Sequence, residues 1–290
     1  MKEIHRFNDV ILLSDKEPKN INGNCIWFND GSFADLDQLM IRNQGPGEIK
    51  FKLIPVFAIN GPPQEKTFNF SYGNTIVLEG GDLFFEIHPW DQKESALEVI
   101  GTEWFLSHLE VYETHNGFVI RTPTKKSDLI IGDVYVNGRR VKSRPIEGKL
   151  VIKTPVEASL HVQSDQRGVG QVNIPLKALD IYSNGSTRVE CEAVTNVNIQ
   201  INGSSQVSIQ RVTETCDISI NGSGDVHIKS GDFSYLKAVI NGSGTVNANV
   251  TVQKAELIQQ GSGSISVGHV IQESYEKHAE NGLVTVLQRG

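Results

Sequence analysis

The stretch His88-Pro89-Trp90-Asp91-Gln92 places an imidazole, an indole and a carboxylate within four residues. An indole beside polar groups can stack on a sugar ring. His88, Trp90 and Asp91 are therefore the residues through which this half of the chain would face a ligand, against the plainer alternative of a tryptophan in the core. Other chemistry-bearing residues are sparse. Cys25, Cys191 and Cys216 form no CxxC pair, so the sequence carries no zinc knuckle or redox motif. An odd, sparse cysteine count fits a reducing compartment. Gly45-Pro46-Gly47-Glu48 imitates a phosphate loop, but no lysine follows and it reads as a turn. Asn184, Asn202, Asn221 and Asn241 each open an Asn-Gly-Ser glycosylation sequon, which reads more simply as the by-product of a backbone hinge.

Those sequons belong to a repeat, and the repeat must position any site in the second half. Gly185, Gly203, Gly222, Gly242 and Gly261 recur at spacings of 18, 19, 20 and 19 residues. Apolar residues hold the even offsets from each glycine. Four before stand Ile181, Ile199, Ile218, Ala238 and Leu257; four after stand Val189, Val207, Val226, Val246 and Ile265. The odd offsets are mostly polar. Period two is the strand signature with one face buried. Each repeat thus predicts two short strands hinged at Asn-Gly, where glycine bends without a Cβ clash. A connector of four to seven residues takes up the length variation. One repeat cannot bury its apolar face alone. Stacked at ~4.8 Å, each strand bonds to its equivalents above and below, and each column meets itself. The expected form is a three-sided β-helix, or solenoid, of about 19 residues per turn, its bore filled by aliphatic columns and one corner thinned by the five glycines. Gly168 and Gly282 mark atypical end repeats: Ser164 and Gln166 precede the first, and Glu276 the second.

Coiled β folds can carry acid–base chemistry on outer faces, but this needs carboxylates clustered on neighbouring turns. Five before each glycine stand Asp180, Asn198, Asp217, Lys237 and Glu256, where no two acids are adjacent. A solvated cross-strand charge ladder accounts for that column. His227 stands between Ser208 and Asn247 with no evident partner. The serine after each glycine, Ser186 to Ser262, could offer a row of hydroxyls to a sugar or to ice, or bond to itself at the corner. Cys191 and Cys216 fall in inward columns, as inert thiols do.

Segments such as Leu176–Cys191 (LKALDIYSNGSTRVEC), Ile220–Ile228 (INGSGDVHI) and Gln260–Val267 (QGSGSISV) resemble the bacterial head GIN domain, DUF2807, and Glu147–Pro155 (EGKLVIKTP) looks like its opening strand. The resemblance covers about residues 145–290. It implies a right-handed β-helix-like fold, a secreted or surface setting and an adhesin role, and it brings no catalytic residues.

The first half has a different core. Trp27, Trp90 and Trp104 and eleven of twelve phenylalanines lie there. Alternating runs at 49–57 and 68–73, with hairpin signals at Asn22-Gly23, Asn116-Gly117 and Asn137-Gly138, predict an all-β sandwich or barrel-like domain. Residues 35–40 and 92–99 are candidate short helices. The expected division is an N-terminal domain over 1–125, bridging strands over 126–157 and the coil over 158–290.

A net charge of −7 makes the chain a poor candidate for nucleic acid, whose phosphates demand a Lys/Arg field. No apolar run reaches the ~20 residues of a spanning helix. The only apolar run near the start, Val10–Leu13, is too short for a secretory signal, which predicts a cytoplasmic protein, export by a signal-independent route being left open. The expected function is a non-enzymatic interaction or scaffold protein with a protein or glycan partner, no cofactor, no metal and a capacity to form homo-oligomers. The competing class is a polysaccharide-active enzyme or phage-like appendage protein with a site between the domains. A cleft lined by two or more carboxylates and aromatic walls would separate the two.

Overall fold

The structure, a computed structural model, describes residues 64–70, 74–124, 148–155 and 157–290 in full; elsewhere it describes only the backbone of short strands. The protein is all-β. Among the described residues the helix Glu103–His108 is the one helical element.

Parallel strands form a β-solenoid of about 6 turns with ~19 residues per turn. Ser159–Ser183, Ser186–Ile201, Gln206–Gly222, Thr245–Gly261, Ser264–His278 and Leu283–Arg289 follow one another up the coil. Between the third and fourth, the turn is split into Asp225–Ile228 and Asp232–Gly242. Residues at equal offsets from the repeat glycine pair directly. Ile201, Ile220, Ile240 and Gln259 form one file, and Val189, Val207, Val226, Val246 and Ile265 another. Every one of these nine is 0% exposed, so the bore is dry. Burying a Val or Ile side chain contributes on the order of 1.5–3 kcal/mol, which is why the files, rather than any single contact, hold the coil.

The connectors are a third wall, not loops. Leu176 pairs with Val194 and Val194 with Val212; Phe233 pairs with Val252 and Val252 with Val270, all of them buried. Strand pairing runs on through most of each turn because these stretches also alternate inward and outward.

The lower end departs from the repeat. Thr75–Pro89 lies in the coil, parallel to Ser159–Ser183 on one side and to Gly117–Thr122 and Gly148–Thr154 on the other. Ile76 and Leu78 lie between Leu160 and Val162 above and Phe118 and Ile120 below, continuing the apolar files. The solenoid therefore starts at Thr75, upstream of residue 158, and its spatial order does not follow chain order. The antiparallel hairpin Glu110–Thr114/Gly117–Thr122 ends the ladder there, with Phe70 stacked on Phe118 at 4.0 Å. Its turn falls at His115-Asn116, with Gly117 already in the strand.

Two local expectations change. Residues 95–101 are strand rather than helix: Leu97 and Val99 are fully buried in the sheet, and tertiary packing overrides helix propensity. Gly168 is not the corner of its turn. Thr187 pairs with it, and Gln166 lies beneath Gly185. Gly170 takes the file position under Val189 and leaves it empty, and the Phe85 ring fills the space; a methyl on Gly170 would lie 2.1 Å from that ring.

By Cα packing the chain divides into two compact units: Met1–Lys66 with Ile100–Ser107 and Lys125–Lys149, and Thr67–Val99 with His108–Thr124 and Leu150–Gly290. The described strands of the first form small antiparallel sheets. One joins Glu3–Phe7, Val10–Ser14, Asp133–Val136 and Arg139–Lys142; another joins Pro18–Asn22, Cys25–Phe28, Phe33–Asp35 and Val56–Phe57. Tight antiparallel pairing flanks the Asn22-Gly23 and Asn137-Gly138 signals. Residues 36–40 and 44–48, which include most of one candidate helix and the phosphate-loop mimic, lie outside the described residues.

Candidate functional site

The solenoid offers a corner and outer walls. At the corner the repeat glycines stand one above another, and the serine N–H of each turn donates to the glycine carbonyl below: Ser223 to Gly203, Ser243 to Gly222 and Ser262 to Gly242, each at 3.0 Å. Gly222 and Gly242 adopt φ of 148° and 147°, where a side chain is strained. A methyl on Gly242 would also lie 2.3 Å from the Gly222 carbonyl oxygen. The asparagines before these glycines form an amide ladder on the surface. Asn202 donates to Asn184, Asn221 to Asn202 and Asn241 to Asn221 at 2.9–3.1 Å, and Asn184 donates to Asp165 at the foot. Self-bonding at the corner is thus chiefly the work of the amides; of the serine hydroxyls, Ser223 and Ser243 approach to 3.5 Å. Beneath the corner, Ser164, Ser183, Thr187 and Ser205 form a buried hydroxyl cluster whose members bond to one another at 2.7–2.8 Å.

One outer wall carries the charge column. Asp217, Lys237 and Glu256 pair rung to rung, with Lys237 3.8 Å from Glu256, and His161 lies 3.1 Å from Asp180. Lower on the same wall, Arg121 binds Glu79 and Glu110 at 2.9 Å. Asp217 and Glu256 are separated by the lysine-bearing rung, ~9.6 Å at normal strand spacing, so the pair does not share a proton site. The adjacent column, unremarked in the sequence, adds Tyr235, Lys254 and Glu273, and Tyr275 stands above Glu256. The Tyr235 hydroxyl donates to Glu256 at 2.9 Å; burial first, and then that carboxylate, raise its pKa. No sequence signal singled these tyrosines out, because they fall where the period-two pattern permits any polar side chain.

His88 lies on the outside of Thr75–Pro89, with Nε2 3.2 Å from Glu86 and Nδ1 3.4 Å from Asn173. Trp90 is half-buried, its backbone N–H donating to Thr154 at 3.0 Å. Asp91 is exposed and accepts from Gln92. The imidazole is thus tied to Glu86 and Asn173. Lys153, which pairs with His88 across the strands, binds Glu98 at 2.5 Å. His227 sits half-buried between Ser208 and Asn247.

The thiols are inward. Desolvation pushes Cys191 up to about 12 and raises Cys216 as well, so both are protonated and unreactive at neutral pH. Among the described residues no group of three or more His, Cys, Asp or Glu side chains could hold a metal ion. No described helix is long and apolar enough to cross a membrane.

A buried aliphatic bore, hydrogen-bonded corners and an outer wall of paired charges make up the described β-solenoid. The chain belongs to the head GIN domain family, DUF2807, described as "Putative auto-transporter adhesin, head GIN domain", which it matches over residues 119–280. Among solved structures it is similar to a "putative adhesin" from Parabacteroides merdae, with 17% identity and a TM-score of 0.55 over 80% of this chain and 97% of that one. It is similar also to a "putative adhesin" from Bacteroides fragilis, with 15% identity and a TM-score of 0.51 over 78% and 97%. At such identities the likeness establishes the shared fold. A comparison with curated proteins finds no match. Family membership corrects the expected cytoplasmic location: the family is described as auto-transporter adhesin heads, which are surface-exposed.

Proposed function

We propose that this chain is a non-enzymatic adhesin-like binding module, whose stiff coil holds flat outer walls toward a protein or glycan partner. The observation that carries this reading is the charge pattern of the wall, where acids and bases alternate from rung to rung and bind one another. In that column no two carboxylates are adjacent, and Lys237 stands between Asp217 and Glu256. The pairing leaves hydrogen-bonding groups in fixed positions, which lowers the entropy cost of binding. The surface that carries half-buried His88 and Trp90 and exposed Asp91 is a second candidate of the same kind. Self-association through the walls would add avidity.

The test is to couple the purified chain to beads. Saturable adhesion to intact cells or extracellular-matrix proteins, with no new reducing ends from a polysaccharide panel, is the expected result. Absence of adhesion, or release of reducing ends in proportion to protein and time, would overturn the reading.

A further inference from the structure

Three consecutive rungs, Asp232–Gly242, Thr245–Gly261 and Ser264–His278, bring six outward side chains into two neighbouring files. Tyr235, Lys254 and Glu273 stand in one; Lys237, Glu256 and Tyr275 stand in the other. We propose that this patch binds a linear, uncharged glycan lying obliquely across the two files, with the rings of Tyr235 and Tyr275 stacking on two of its sugar units. The inference rests on the binding reading above and names its ligand class.

Both tyrosines are exposed, 37% and 57%, beside charged residues, with the half-buried Val239 and Ile258 one column along the same wall. An exposed aromatic ring offers an apolar face and a polar tip, which is what the C–H face and hydroxyl rim of a pyranose complement. The Tyr235 hydroxyl is already held by Glu256 at 2.9 Å, so its ring is positioned before the ligand arrives. The two tyrosines stand two rungs apart, ~9.6 Å along the axis, and two residues apart along the strand, so a chain that touches both crosses the files obliquely.

Charge decides which ligand fits. Two ammonium groups and two carboxylates occupy the patch, with Lys254 3.2 Å from Glu273 and Lys237 3.8 Å from Glu256. A polyanion or polycation laid across the files would meet a like charge. A hydroxyl both donates and accepts, so it can give its proton to Glu256 and accept one from a neighbouring lysine. A protein partner is less suited. Stable protein interfaces bury ~800 Å² per side around a centre depleted of charge, whereas the middle rung here is Lys254 and Glu256.

The full chain is titrated calorimetrically with neutral hexasaccharides of β-1,4-glucose, β-1,4-xylose, β-1,4-mannose and α-1,4-glucose, and with hexagalacturonate and hexaglucosamine as charged controls. At least one neutral chain binds and the charged chains do not. Y235A and Y275A each weaken that binding about tenfold, while Y275F, which keeps the ring, stays within about twofold. Y182A, which removes a tyrosine three rungs below on the same wall, leaves affinity unchanged. Thermal melts confirm that each variant is folded. Neutral binding that survives both alanine substitutions, preference for a charged chain, or no neutral binding by the parent overturns the patch. If bead adhesion persists in those cases the adhesin reading stands; if adhesion is also absent, both fall.

Discussion

Ile220 has Ile201 below it and Ile240 above it in a file closed to solvent. Ile220→Asp would place a carboxylate there with no partner, a change expected to cost at least ~3 kcal/mol and unfold the coil. Ser219→Asp, one residue along and facing out, should shift the melting temperature little. Circular-dichroism melts of the two variants check the inward assignment. At the top of the bore the files turn polar: Ser274 stands over Ala255 and Glu276 over Leu257. Burial pushes the Glu276 carboxyl up, but hydrogen bonds from Arg289 at 2.8 and 2.9 Å and from Ser274 at 2.7 Å, with the charges of Arg289 and His278, outweigh it and leave the pKa below its ordinary 4.5. A carboxylate with a lowered folded-state pKa adds stability that is complete above its unfolded value and is lost as pH falls through the folded one. The melting temperature should therefore drop as the solution is acidified below about pH 4.5, and Glu276→Gln should reduce the slope of that drop while lowering stability at pH 7. Equal slopes in parent and variant would show that Arg289 does not hold the carboxylate.

At the element scale, the connectors behave as strands. From sequence, the 229–235 segment looks like a loop tolerant of insertion. In the coil, Ser230 accepts from the Val212 N–H at 3.1 Å and Gly231 accepts from the Thr251 N–H at 2.8 Å, so both rungs hold this backbone. A methyl on Gly231 would lie 2.6 Å from the Val212 carbonyl oxygen. Two residues inserted after Gly231 would break these bonds and push Phe233 out of the core, and soluble yield and melting temperature should fall sharply. The same insertion between His115 and Asn116, in a hairpin turn, should be mild. Comparable losses at both sites would mean that the third wall contributes nothing.

For the whole molecule, the rung Thr75–Pro89 supplies what the repeat lacks at its foot. A fragment of residues 158–290 would bare the lower side of Leu160, Val162 and Val172, which Ile76, Leu78 and Ile87 cover. It is expected to aggregate or melt well below the parent, since an open rung exposes both apolar files and strand edges. A fragment beginning at residue 64 keeps that rung and should melt cooperatively. Light scattering and calorimetry on the two fragments decide the matter, and equal stability would overturn the structural role of Thr75–Pro89.

Period-two alternation and the glycine spacing were by themselves enough to determine the coil, its 19-residue turn and the inward files, because a parallel stack repeats one local environment and so writes it in the sequence at a fixed interval. The hinge at Asn-Gly was legible for the same reason, and the likeness to the head GIN family rested on it. What only the tertiary structure decided lies where neighbours in space are remote in sequence. Phe85 fills the place of a missing side chain at Gly170, and a strand from residues 75–89 lies between two later rungs. Tyr235, Glu256 and Tyr275 meet on a wall across three turns. The repeat interval places each outward residue in its column, as it did Asp217, Lys237 and Glu256, but side-chain bonds that cross from one column to the next, such as Tyr235 to Glu256, carry no periodic signal.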